Sequence, residues 1–341
     1  METVALRLLV ALLPVCLFLG SLVYMDSYKL VHLRTLLQLI GTGGAIAVMS
    51  FGANHTMFQN GAIDPGILTR FVIPLLEELL KAMPILWLLR MKRVGFLVDA
   101  AILGFATGAG FSLIENLYYL WALPDASLAL WMVRGFGTAV MHGGTTAIMA
   151  MTTKVIMDRK QSGAWWLLLP GLAMAFAIHS LFNQFLLSPI WSAVLMIVAL
   201  PPLLVLVFGQ SERYLESWLG TGFDLDAELL DAMHSDEFSL SRVGEYLHSL
   251  RVRFEGPIVV DMLCYLRLHA ELSLRAKGIL MMRELGFAVE KDPEVEDKLR
   301  ELMYLKKSIG KTGELALAPI LHHSAHELWQ LRMLETSDVS R

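Results

Sequence analysis

The sequence predicts an all-α protein: a polytopic membrane helix bundle of about seven transmembrane helices, followed by a C-terminal helical cytoplasmic domain. Three observations carry this. Of the 341 residues, 55% are hydrophobic and only 18% are charged, where a soluble domain has roughly 45–50% and about 25%. The apolar residues fall in long runs before about residue 210, each near the roughly 20 residues that cross a bilayer as a helix. From Ser211 onward the charge density is that of a soluble domain. The division is therefore a transmembrane domain over 1–210 and a soluble helical domain over 211–341.

Taken in order, the spans read 4–25, 35–53, 67–89, 94–121, 128–153, 163–187 and 190–209. The first run is too long for a signal-peptide core, and no small-residue cleavage pattern follows it, so it reads as a retained helix. Lys29 and Arg34 lie in the first loop, Arg90, Lys92 and Arg93 in the third, and Lys154, Arg159 and Lys160 in the fifth. The alternate loops, 54–66, 122–127 and 188–189, hold no Lys or Arg. Basic loops stay in the cytoplasm, which places the N-terminus outside and the tail inside, with Arg7 as a contrary signal. Asn54-His55-Thr56 then falls in an outer loop and reads as a chance glycosylation sequon.

The tail shows helical periodicity over 242–253, 259–285 and 294–307, with breaks at Gly256-Pro257 and Asp292-Pro293. Gly310-Lys311-Thr312 is not a P-loop, because Leu305 stands where the first glycine belongs. His322, His323, His326 and Glu327 read as the polar face of a terminal helix rather than a metal site. The net charge of −4 says little about partners, and no basic tract points to a nucleic-acid one. Cys16 and Cys264, the two cysteines, have neither disulfide-framework nor metal-site spacing.

The membrane domain carries residues that bilayers disfavour. An ionisable side chain at mid-membrane costs about 2.5–3.5 kcal/mol on insertion scales and persists when it is paired, solvated or used. The third span holds Glu77, Glu78 and Lys81. The fourth holds Glu115 and Asn116 and begins near Asp99. The fifth holds Arg134 and His142, and the sixth His179 and Asn183. Lys81 follows Glu77 by four residues and Glu78 by three, so it reaches back to either carboxylate. Glu77 and Glu78 diverge by about 100° around the helix, so one meets a reaction centre while the other pairs with Lys81 or Arg134. Gly104 and Gly108 on one helix, and Gly135, Gly137, Gly143 and Gly144 on the next, allow close approach and would bring Glu115 near His142. Asp99 reads as an interface or capping residue, and Arg134 as a structural counter-ion.

Carboxylates, histidines and an asparagine inside a membrane suit water activation. His142, His179 and one or two of Glu77, Glu78 and Glu115 could hold Zn²⁺ with an open position for water. Without a metal, a glutamate and a histidine would deprotonate water, and His179 and Asn183 would donate to the oxyanion. The residues leave both routes open. No HExxH, GxSxG or GxGD motif is present, which sets aside zincin, rhomboid-like and aspartyl sites.

Glu77-Glu78-Leu79-Leu80-Lys81 resembles the EExxK motif of the PrsW family of intramembrane proteases, and Phe111-Ser112-Leu113-Ile114-Glu115-Asn116 its FxxxEN motif. His142 and His179-Ser180-Leu181-Phe182-Asn183 resemble its histidine-bearing motifs. All four occur in order on successive helices, over roughly residues 35–210. The family is similar to the CAAX prenyl proteases, which share the paired-glutamate and HxxxN motifs. The resemblance implies hydrolysis of a peptide bond in a single-pass membrane protein such as an anti-sigma factor, on its outer side, in a bacterial inner membrane. It implies Glu77 and Glu78 as catalytic, with Glu77 the first choice for the base and Lys81 orienting the pair. Glu78, Glu115, His142 and His179 are the implied metal ligands, and Asn183 the oxyanion donor. The tail would regulate the enzyme or bind a partner. The rival readings are an ion- or proton-coupled transporter and a non-catalytic membrane scaffold. Convergence of the motif side chains on one focus separates a protease from a transporter, which would spread them along a path.

Overall fold

The computed structural model describes residues 2–184, 186–235, 237–287, 292–321, 329–331 and 333–334. The described residues are helical, with no strand among them, and the chain divides into two compact units, Met1–Glu212 and Arg213–Arg341.

The first unit opens with α1 (Glu2–Tyr24) and α2 (Leu33–Asn60). A short α3 (Pro65–Ile67) passes through a π-helical turn, Leu68–Val72, into α4 (Ile73–Arg90). Next comes α5 (Leu97–Ala122), then α6 (Leu128–Met132), which runs through a second π-helical segment, Val133–Thr138, into α7 (Ala139–Lys160). A 3₁₀ turn, Trp165–Leu168, leads into α8 (Leu169–Phe182), and α9 (Pro189–His234) follows. Among the described residues, five helices are long and apolar enough to cross a membrane: α1, α2, α5, the Trp165–Phe182 segment and α9. In α4 the cause of the shortfall is the charge of Glu77, Glu78, Lys81 and Arg90.

Helix α5 is the axis of the unit. The most apolar stretch of α5 is 83% buried, against 22% for α1, 39% for α2 and 17% for α9, so those three turn most of their surface outward while α5 faces protein. Glycine makes this packing possible. A Cβ on Gly108 would overlap the His142 carbonyl of α7, and one on Gly104 would stand 2.7 Å from the Thr146 carbonyl oxygen. On the other side, Gly43 of α2 lies against the Thr107 carbonyl of α5. Gly108→Val is therefore expected to force α5 and α7 apart and cost about 1–3 kcal/mol or more. Gly41→Ala, with nothing within 4 Å of its Cβ, should leave stability unchanged. Thermal melts of the two purified variants in detergent test the pair.

Local chemistry sets the helix ends. Asp64 caps α3, accepting from Gly66 N at 2.8 Å and Ile67 N at 3.1 Å. Asp99 caps α5, accepting from Gly95 N at 2.6 Å and Phe96 N at 2.7 Å. Arg7 donates to the Pro124 carbonyl, so the contrary charge of the first span is held by the 122–127 loop. Several helix ends differ from the sequence expectation: α7 runs to Lys160 rather than 153, and α8 stops at Phe182 rather than 187. Helix α2 runs to Asn60 rather than 53, because no breaker occurs before Gly61, whose φ is 60°. Asn54 thereby leaves the expected loop and becomes a helix residue. Helix α9 likewise continues past residue 209 to His234, since Ser211–His234 contains no proline to stop it.

In the second unit, α10 (Arg242–Leu250), α11 (Gly256–Glu284) and α12 (Pro293–Leu317) occupy the three periodic stretches. The Gly-Pro and Asp-Pro breaks are helix starts, with proline in the first turn. Helix α12 extends past Lys307, with Gly310 at φ 66°, ψ 178° inside it, so Gly310-Lys311-Thr312 is a kinked helical segment. Lys277 is buried against Asp226 at 2.6 Å, with Ser273 sharing that carboxylate. His322, His323, His326 and Glu327 lie outside the described residues.

Candidate active site

Helices α4, α5, α7 and α8 bring the motif side chains to one focus. Glu78, Lys81, Glu77, His142 and His179 are each buried to 4% exposure or less. Glu78 Oε1 takes three donors: Lys81 Nζ at 2.6 Å, His179 Nδ1 at 2.8 Å and Thr145 Oγ1 at 3.4 Å. Lys81 also meets His142 Nδ1 at 3.1 Å and lies 5.0 Å from the Phe111 ring centroid. The other face of His142 presents Nε2 to Glu115 Oε2 at 3.3 Å, and Arg134 Nη2 lies 3.1 Å from the same oxygen. The two histidine rings stand edge to face, 4.8 Å between centroids.

Glu77 looks elsewhere, as the 100° offset between successive helix residues requires. Its Oε1 faces Ser50 Oγ at 3.3 Å and Asn54 Nδ2 at 3.5 Å on α2, and its Oε2 stands 3.9 Å from His179 Nε2. The division of labour is thus set by geometry. Glu78 accepts the Nδ1 proton of His179, which leaves the Nε2 lone pair of that ring directed towards Glu77. A histidine held by a carboxylate on one nitrogen and open on the other is the usual support of a metal ligand or proton acceptor.

Metal-site fit can be read from the donors. One ligand atom each of Glu77, His142 and His179 lies within 4.8 Å of the other two, all buried. Two imidazoles and one carboxylate match the donor set of many catalytic zinc sites. Glu77 is the one of the three candidate carboxylates in this group, while Glu78 Oε1 faces Lys81 and His179. Glu115 stands behind His142 rather than among the three.

Asn116 and Asn183 each donate to a backbone carbonyl. Asn116 donates from Nδ2 to the Ala11 carbonyl at 2.8 Å and accepts from Arg134 Nε at 2.9 Å, tying α1, α5 and the second π segment together. Asn183 follows the last turn of α8, its Nδ2 donating to the Thr69 carbonyl at 3.2 Å. The amide beside Glu77 is instead that of Asn54. Ser50, Asn54 and Thr145 were not singled out from the sequence as site residues. The signal for the first two, polar groups one turn apart, was hidden by the reading of 54–66 as a loop. Thr145 sits one turn beyond His142 on the same face.

A buried cluster of carboxylates and histidines around one focus, inside an apolar helix bundle, is an arrangement suited to activating water in a membrane. The family model described as PrsW family intramembrane metalloprotease matches residues 31–208, over half of the chain, and the chain belongs to this family. It is an integral membrane protein of an intramembrane protease family. No curated protein and no solved structure matches the chain.

Proposed function

We propose that the chain hydrolyses a peptide bond of a single-pass membrane protein within or beside the bilayer, with Glu77 as the base that takes the proton of the attacking water. The observation that supports this best is the pairing of Glu77 Oε2 with the open Nε2 of His179 at 3.9 Å, in a buried pocket whose other carboxylate is already neutralised by Lys81. A water between these two groups would lose a proton to Glu77 while His179 holds its orientation. Glu78 and Lys81 position His179 and His142. Asn54 Nδ2, beside Glu77, is the amide able to reach the developing oxyanion; Asn183, bonded to Thr69, would have to turn to do so. A metal, where bound, would be held by Glu77, His142 and His179 and would supply Lewis acidity and a more acidic water.

Convergence on one focus favours a protease over a transporter, since Glu77, Glu78, Lys81, Glu115, His142 and His179 form one connected set of contacts. In the same reading α4 and α7 complete a seven-span bundle, their charges turned inward to this cluster. The alternation of basic loops supports a cytoplasmic tail, a helical domain that regulates the enzyme or binds a partner. The family supports a bacterial inner membrane.

The test is cleavage in cells of a panel of single-pass membrane proteins tagged at both ends, comparing the native chain with Glu77→Ala, Glu78→Ala and His179→Ala at matched expression. Fragments lost in all three variants support the reading; unchanged fragments in all three overturn it. Metal analysis of the purified chain should then find about one zinc per native chain and less than a tenth of that in the His142→Ala/His179→Ala double variant. Equal metal content in the two would assign the water activation to Glu77 and His179 alone.

A further inference from the structure

The buried site raises the question of how a membrane helix reaches it. Glu77 is framed by α2, α4 and α8, and along the α2–α4 boundary runs an open groove of about 840 Å³. It spans Thr35 to Met49 on α2 and Leu80 to Arg93 on the other wall, a length of about 20 Å at 1.5 Å per residue. We propose that this groove is the docking surface for the transmembrane helix of the substrate, delivering its backbone to Glu77; the proposal rests on the protease reading of that site.

Three features carry it. The first is continuity. The groove ends at Met49 and Leu80, and the next residue of α2 is Ser50, whose hydroxyl contacts Glu77. Its floor there is Ile46, packed on Phe111, and the Phe111 ring lies tilted against His142 with 4.9 Å between centroids. The groove and the site therefore share a wall.

The second is the small-residue face. Helix α2 carries two such faces. Gly43 is spent on the close approach to α5. Gly41 and Ala45, one turn apart on the opposite side, line the groove, and nothing lies within 4 Å of a Cβ on Gly41. In lipid, small residues one turn apart let a second helix approach closely, and Gly41 and Ala45 are both exposed.

The third feature separates a peptide from a lipid tail. Pro84 lies inside α4 and on the groove wall, together with Leu80. Proline has no N–H, so the Leu80 carbonyl loses its helical donor one turn on, at the level of the site. A backbone acceptor at membrane depth seeks a donor. An acyl chain has none, whereas a substrate helix unwinding towards Glu77 exposes backbone N–H groups. A peptide must unwind to be cut, and the groove wall offers it a partner where it does.

The experiment uses the full chain in phosphatidylethanolamine–phosphatidylglycerol vesicles, together with doubly tagged single-pass membrane proteins. Ala45→Trp fills the groove and should lower cleavage at least tenfold. Val198→Trp, on the exposed face of α9, should stay within twofold of native. Pro84→Ala restores a donor to Leu80 and should lower cleavage threefold or more while raising the melting temperature, a combination that misfolding cannot produce. A photo-crosslinking residue at position 45 in the Glu77→Gln chain should capture the tagged proteins that the native chain cleaves, and one at position 198 should not. Native-level cleavage by both groove variants, lipid adducts alone at position 45, or equal capture at both positions would overturn the docking proposal and leave the protease reading standing. Selective capture at position 45 without cleavage by the native chain would sustain docking and overturn hydrolysis.

Discussion

Glu77→Gln is expected to lower substrate cleavage by at least about 100-fold, the lower end of what a positioned general base contributes. The amide keeps the volume of the carboxylate and its contacts with Ser50 and Asn54, but it cannot take a proton from water. The fold should survive, because Glu77 makes no ion pair with Lys81, whose ammonium is spent on Glu78. A melting temperature within a few degrees of native, with cleavage gone, is the expected pair of readings. Glu78→Gln should behave differently. It removes the negative charge that His179 Nδ1 and the Lys81 ammonium both face, so stability and cleavage should fall together. Should Glu77→Gln cleave at the native rate, the base would have to be sought on another side chain.

Lys81→Met has the largest expected effect on stability. Lys81 and Glu78 both have fully buried side chains, 2.6 Å apart, with His142 and Phe111 completing the shell of the ammonium. Removing the lysine leaves Glu78 as an unpaired buried charge, which costs about 3–5 kcal/mol. For a unit of this size that is on the order of 10 °C in Tm. Adding Glu78→Gln to Lys81→Met removes the stranded charge, so the double variant should recover most of the lost stability. Cleavage should be absent in the double variant, because His179 then lacks the Glu78 carboxylate. Thermal unfolding in detergent, followed by tryptophan fluorescence, reads both variants. A single variant that melts within about 2 °C of native, well inside the expected loss, would mean that Glu78 is neutral when Lys81 is gone.

Much of the site was legible as misplaced polarity. Glu77, Glu78, Lys81, Glu115, His142 and His179 each stand out in an apolar run, and their cost in lipid is a property of the residue type. The i, i+3 pairing of Glu78 with Lys81 follows from helix geometry alone. What could not be read was partner choice between helices. Whether Arg134 would meet Glu78 or Glu115 depends on the π-helical segment that carries it, and such a segment has no periodic signature. Asn183 shows the reverse case. It follows His179 by one helical turn and keeps the backbone bond to it, yet its amide donates to the Thr69 carbonyl, a partner far away in the chain. Asn54 entered the site only because α2 runs past the end expected for it.

The sequence by itself determined the all-helical class, the order of the motif helices and the family. These depend on apolar run length, 3.6-residue periodicity and fixed spacings within one helix, all of which are local. The tertiary structure decided which carboxylate faces His179 Nε2, which asparagine lies beside Glu77, and where an open groove meets the site. Those depend on the depth to which α2, α5 and α7 interlock at Gly43, Gly104 and Gly108. Helix-to-helix approach is set by contacts between residues distant in the chain, and no local pattern encodes its final distance or rotation.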